Sequence, residues 1–353
     1  MSQYQIFKRS STGPIQKKDV PLFITLGLTP TRGSVGLELE MESETCAFPK
    51  ERKYVPEGWV YHHDDSLRGL DNAEYVLESP CEFEEVKESV DKVFKALLDY
   101  NTVHHESNRA STHVHLNAQL FTLRRLATFL GLFYTVEDVL SHWCGEHRVG
   151  NLFCLRAKDV PAVVSEVRKF ITSGGEYSLD DGLHYAGVNL HSLRKFGSIE
   201  IRHMRGAMTP KDVTDWVSIL QHIYELSGTY RDPRSCIADF SCVGHMGFLR
   251  KVVGEDMYHT VVESCGLTSE EIRDSLQEGV RLAQQVCYCR EWQNFPEATV
   301  EVDPSERIRV EGHPLSIEAM DYVSSSHVDE DAEEDDEPYY EPDYEDEGEP
   351  YEL

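Results

Sequence analysis

The chain has 353 residues, 40% of them apolar, and a formal net charge of −29. That length supplies material for a substantial core, and no run of about 18 apolar residues offers a membrane span. So acidic a body excludes a broad grip on phosphate backbones and argues against a nucleic-acid binder.

Residues 1–33 are polar, end in "LTPTRG", and predict an irregular lead-in. "MSQYQIFKRSS" has neither an apolar core segment nor a small-residue cleavage site, so no signal peptide is read there. Nine cysteines without a repeating spacing then predict reduced thiols and a cytoplasmic location. Cys287 with Cys289, or Cys144 with Cys154, are zinc candidates, but neither offers a familiar four-ligand spacing.

"SVGLELEMES" (34–43) alternates, which predicts a strand over 34–42 with Glu38, Glu40 and Glu42 on one face. "GWVYHHD" (58–64) and "AEYVLES" (73–79) predict two more strands, with Gly69, Asp71 and Asn72 turning between them. Phe83, Val86, Val90, Val93, Leu97 and Tyr100 step by three and four, a helix over 82–100 with one buried stripe. "STHVHLNA" (111–118) returns to alternation, and helices follow over 122–143 and 160–171. "HYAGVNLH" (184–191) and "GSIEIRHM" (197–204) predict two strands linked as a hairpin through Lys195 and Gly197. Thr209-Pro210 opens a helix as N-cap and first-turn proline, and "TSEE" (268–271) is a capping box for another. Residues 34–322 thus predict one α+β domain, helical over 232–322, with a mostly antiparallel sheet and helices on one side.

Residues 323–353 are a different material. Asp329–Leu353 holds 15 acidic residues and no Lys or Arg, more than half of the surplus negative charge. Such a tail is too charged to fold alone and predicts a solvated segment, or a docking tail for a protein partner.

Like charges in a row on a strand repel, so three glutamates on one face make sense around something positive. Other strands repeat the pattern: His113 and His115 share a face, as do Glu200 and Arg202, and Asn189 and His191. Glu74 adds to it less cleanly, because Val76 lies on its side. The combination predicts a sheet apolar behind, with an open acidic face in front carrying imidazoles. Oxygen-rich ligands with one or two histidines suit Mg²⁺ or Mn²⁺.

"GLELE", "HDDSLRGLDNAEYVLESP", "THVHLN" and "GVNLHSLRKFGSIEIRHMRG", in that order before a Trp-bearing helix, resemble the amidoligase family of bacteria and phages. The resemblance runs from about Gly36 to Tyr230 and implies a glutamine synthetase-like fold and ATP-dependent joining of a carboxylate to an amine. It implies Glu38, Glu40, Glu74, His113 and Glu200 as ligands of the metal ions that bridge ATP phosphates, with Glu78 competing for the place of Glu74. His115 is implied to touch phosphate or substrate, and Arg202 to clamp a phosphate or the intermediate. Asp64, Ser66 and Asn189 are implied nucleotide contacts. Arg148 and Asn151, in "EHRVGNLFC", are implied either as such contacts or as structural residues. Arg205 is implied to back up Arg202 or to pair with an acid. Glu42 has no family counterpart, and either it or Glu78 is a candidate base for the amine. The substrates implied are a carboxylate and an amine, on a peptide, a cell-wall fragment or a metabolite. Two other readings keep the same residues: a metal-dependent hydrolase, and an inactive relative acting through its acidic tail.

Overall fold

The computed structural model describes residues 17–179 and 181–288; the acidic segment and Cys289 lie outside the described residues. Six strands form one sheet: β1 (Val35–Ser43), β2 (Trp59–His62), β3 (Asp71–Leu77), β4 (Ser111–Asn117), β5 (Val188–Asn189) and β6 (Ser198–Arg205). Their order is β2-β3-β1-β4-β6-β5, and every neighbouring pair is antiparallel. Nine α-helices occur among the described residues. They are α1 (Leu22–Leu26), α2 (Val86–Asp99), α3 (Leu123–Cys144), α4 (Pro161–Thr172), α5 (Ser192–Phe196), α6 (Pro210–Ser227), α7 (Arg234–Val253), α8 (Glu255–Ser264) and α9 (Ser269–Cys287). None of the described helices is long and apolar enough to cross a membrane.

The alternation in β1 sends Leu37, Leu39 and Met41 into the core, joined by Val114 and Leu116 of β4 and by Ile199 and Ile201 of β6. Helices cover that apolar face. The stripe of α2 (Val86, Val90, Val93, Leu97) is buried, and α6 turns Val213, Trp216, Val217, Leu220 and Ile223 inward. Thr209 and Thr268 cap α6 and α9, each reciprocated three residues on by Asp212 or Glu271. α3 is apolar on nearly all sides, as a helix packed between a sheet and other helices must be. It lies against α9 so closely that a Cβ on Gly279 would come within 2.4 Å of the Thr135 carbonyl oxygen.

Two charges sit inside this layer. Glu137 of α3 meets His203 of β6 at 3.0 Å (Oε1 to Nε2) and accepts from the Ala157 N–H through its other oxygen. Its neighbour Asp138 pairs with Arg156 and Lys158. Buried carboxylates persist only with such partners.

The structure departs from the sequence expectations in three places. Strand 184–191 shrinks to Val188–Asn189, and α5 replaces the simple hairpin link, ending at Gly197 with φ 71°. His191 therefore precedes a helix rather than facing front on a strand. The irregular lead-in contains α1, which buries Leu22 and stops at Gly27 in the left-handed region. No motif had marked α7 or α8, and α7 is broken inside by Gly244 at φ 72°.

Candidate metal centre on the front of the sheet

The register fixes what meets what. Glu38 stands opposite His113, Glu40 opposite Glu74, and His115 opposite Glu200, which is also opposite Asn189. Strand neighbours in register share a face, so the glutamates of β1 collect the imidazoles of β4 and the acid of β6. Gly36 lies opposite His115, and a Cβ there would stand 3.3 Å from that of the histidine.

Glu38 divides its oxygens between two rings. Oε2 lies 2.9 Å from His113 Nδ1 and Oε1 lies 3.0 Å from His115 Nε2. Glu200 Oε1 approaches His113 Nδ1 at 3.7 Å. Ligand atoms of Glu38, His113 and Glu200 all fall within 4.8 Å of one another. Around them, Glu40 Oε2 accepts from both the N–H and the hydroxyl of Ser111, at 2.8 and 2.6 Å. Asn189 Nδ2 donates to Glu200 Oε2 at 2.8 Å. Arg202 Nη1 donates to Glu200 Oε1, and its Nε donates to the Phe153 carbonyl at 3.3 Å.

The Ser111 hydroxyl bears on what this cluster could hold. It gives its one proton to Glu40, so toward His113 Nε2, 2.7 Å away, it presents a lone pair. Assigned from that network, the neutral ring carries its hydrogen on Nε2. In that form Nδ1 would aim a lone pair at Glu38 and Glu200, as binding a cation requires, whereas a ring protonated on both nitrogens donates from Nδ1 to Glu38. Three electron-rich atoms converging in a buried place fit a cation, and a second partner orienting the ligating imidazole is the usual arrangement.

With no cation between them, the rings serve Glu38 as donors. Burial alone would raise the Glu38 carboxyl, but hydrogen bonds from His113 and His115 overcome it and hold that group well below the usual range. Burial works against a charged His115, and the adjacent Glu38 outweighs it, so that ring is raised. Glu74 is the reverse case. Burial first, then the charges of Glu38, Glu40 and Asp64, push it up to about 8 from 4.5.

With its folded pKa raised, Glu74 favours the native state while protonated and disfavours it once ionised. Metal-free stability should therefore fall as pH climbs from about 4.5 through about 8. Glu74→Gln is expected to melt roughly 3–6 °C above wild type at pH 8.5 in chelator, with little difference at pH 5. Differential scanning calorimetry at the two pH values checks this. Equal melting at pH 8.5 would show Glu74 to be comfortably ionised.

The acidic face is not open, as had been expected. Glu40, Glu42, His113, Asn189 and Glu200 are each at most 6% exposed. Loops roof them: the Arg68 N–H caps Glu42 Oε1 at 2.6 Å, Arg109 Nη1 holds the Ser66 carbonyl at 3.0 Å, and Phe153 reaches Arg202. Asp64 closes its own turn onto the Ser66 N–H. Glu78 pairs with Arg52 instead, so of the two competing acids it is Glu74 that stands beside Glu40.

Several expected ligand contacts are braces. Arg148 is fully buried and donates to the carbonyls of Arg202 (2.8 Å) and His203 (3.2 Å), so it grips the backbone of β6. Asn151 ties its loop to Asn108 and His147. Arg205 binds the Cys144 carbonyl and Asp212, the second of its two expected roles. Asn189 is buried, donating to Glu200 and accepting from the His191 N–H. Conversely, His62 is in register with Glu74 on the same face, and Ser111 orients His113. Alternation within "GWVYHHD" carried the first signal; only the hydrogen-bond network shows the second.

A family model described as "Putative amidoligase enzyme" matches residues 72–224. The matched interval holds Glu74, His113, His115, Asn189, Glu200 and Arg202 and begins after β1. No curated protein matches the chain. Over residues 72–224, which carry His113, His115, Glu200 and Arg202 but not the glutamates of β1, the chain is similar to the amidoligase family.

Proposed function

We propose that the protein is an ATP-dependent carboxylate–amine ligase. The observation that carries the reading is the convergence of Glu38, His113 and Glu200 within 4.8 Å, with the Arg202 guanidinium on Glu200. The family match supports a ligase at the level of its description.

A carboxylate does not acylate an amine at neutral pH, because its oxygen leaves poorly. Transfer of the γ-phosphoryl group of ATP to that oxygen gives an acyl phosphate and ADP. The amine then attacks the carbonyl carbon, phosphate departs, and the amine loses a proton. The first step needs alignment and charge neutralisation more than covalent help. Glu38, His113 and Glu200, with Glu40 and Glu74 beside them, would hold Mg²⁺ or Mn²⁺, which would neutralise phosphate charge. Arg202, fixed by Glu200 and the Phe153 carbonyl, offers a preset guanidinium to a developing negative charge. His115, anchored through both ring nitrogens on Glu38 and Ser198, braces the Glu38 carboxylate beside the phosphate position. Reduced thiols and a nucleotide substrate are consistent with a cytoplasmic site of action.

The test is ADP release with Mg²⁺ or Mn²⁺ across panels of acids and amines. It is joined to mass spectrometry of an extract incubated with protein and ATP. The expected product is a species lighter by one water than the sum of its two precursors. Metal-dependent hydrolysis with no nucleotide requirement, or no ADP under either metal, would sink the ligase reading.

A further inference from the structure

One aromatic ring, at the end of the β4–β6 pair where Asn117 meets Ser198, has no part in the chemistry above. Phe196, the last residue of α5, is 52% exposed although it stands beside a recessed polar cluster. Its ring meets His115 edge-on at 6.3 Å between centroids, and His115 in turn contacts Glu38. The ammonium of Lys195 lies 4.8 Å from the ring centroid.

The exposure is imposed by the fold. Gly197 turns the chain at φ 71°, where a Cβ would stand 2.2 Å from the Gln119 side chain. Gln119 Nε2 donates to the Phe196 carbonyl at 3.1 Å, and the Gly197 N–H returns to Leu193. A phenyl ring held outward by a rigid turn, next to a cation on a flexible stem, leaves a π-face available for stacking.

The opposite end of the β4–β6 pair, where Ser111 meets Arg205 rather than Asn117 meeting Ser198, is entered from Arg109 and is built differently. There the Phe153 ring already carries the Arg109 guanidinium at 5.7 Å and the edge of Tyr185 at 5.9 Å. That end offers a fixed cation, suited to a carboxylate acceptor. Between the two ends lie the carboxylates, where phosphates would sit only with metal ions. A nucleobase would then lie beyond them, on an aromatic surface such as Phe196 offers.

We propose that Phe196 is the stacking platform for the nucleobase of the nucleotide substrate, with Lys195 beside it to meet phosphate charge. The assignment rests on the ligase reading above and goes beyond it by giving the site a direction, nucleobase at the Phe196 end and acceptor at the Arg109 end.

Isothermal titration of the full-length protein with ATP and Mg²⁺ tests it, using wild type, Phe196→Ala, Phe196→Trp and Leu152→Ala. Leu152 is exposed at the opposite end and serves as the comparison. Base–aromatic stacking predicts that Phe196→Ala weakens ATP binding roughly ten- to hundredfold. Phe196→Trp should stay within about threefold of wild type, since it keeps a π-face. Leu152→Ala should leave ATP affinity unchanged. Near-ultraviolet circular dichroism confirms that each variant is folded, which an exposed position favours. Wild-type affinity in Phe196→Ala, or equal weakening in Leu152→Ala, overturns the proposal and spares the ligase reading. Failure of the wild type to bind ATP overturns both.

Discussion

Glu38→Ala is expected to abolish divalent-cation binding and ADP release together, with turnover falling on the order of 10²–10³-fold or more. The reason is that one carboxylate serves two rings. Its oxygens lie 2.9 and 3.0 Å from His113 and His115, and it supplies one of the three converging ligand atoms. Truncation removes that ligand, frees the orientation of His113, and withdraws the carboxylate that raises His115 against its burial. Glu38→Gln separates these effects, because an amide keeps the shape and loses the charge. Titration with Mn²⁺ and a coupled ADP assay give the two readouts. A variant that binds Mn²⁺ as tightly as wild type would show the cation site to be elsewhere. Because the Glu38 carboxyl is held below its usual range, it stabilises the fold at neutral pH, and this contribution fades as acid protonates it.

Arg148→Ala should act on stability first. Its guanidinium is fully buried and satisfies two carbonyls of β6. Removing it strands buried acceptors and opens a cavity, a cost of about 3–5 kcal/mol. Melting should fall by about 10 °C. In the protein that remains folded, β6 is loosened where Arg202 departs from it, so kcat should drop while ATP affinity changes little. Thermal melts and ATP titration decide between this and a ligand-contact role. Unchanged melting with lost ATP binding would return Arg148 to the nucleotide site.

The strands were legible because alternation is a short-range property: Leu37, Leu39 and Met41 against Glu38, Glu40 and Glu42 define both faces of β1 with no knowledge of neighbours. Helix starts were legible where a cap is written into the chain, as at Thr209 and Thr268. The clustering was foreseeable for Glu38, His113 and Glu200, since carboxylates and imidazoles on one sheet face attract one another or share a cation. What stayed hidden depends on partners distant in sequence. Arg148 and Arg205 read as free cations until the carbonyls they bind are in place. The roofing of the front face depends on loops whose backbone N–H groups reach across, as that of Arg68 reaches Glu42. α5 was masked because "HSLRKF" is too short for a helical period to emerge.

The pairing of Glu137 with His203 makes β6 a strand fastened from both sides. Glu200 and Arg202 project forward from the same five residues whose rear is pinned by a charge in α3. Loss of function should therefore cast a shadow through the sheet: lesions at Glu137 or His203, screened from any solute, would mimic damage to the reacting groups themselves.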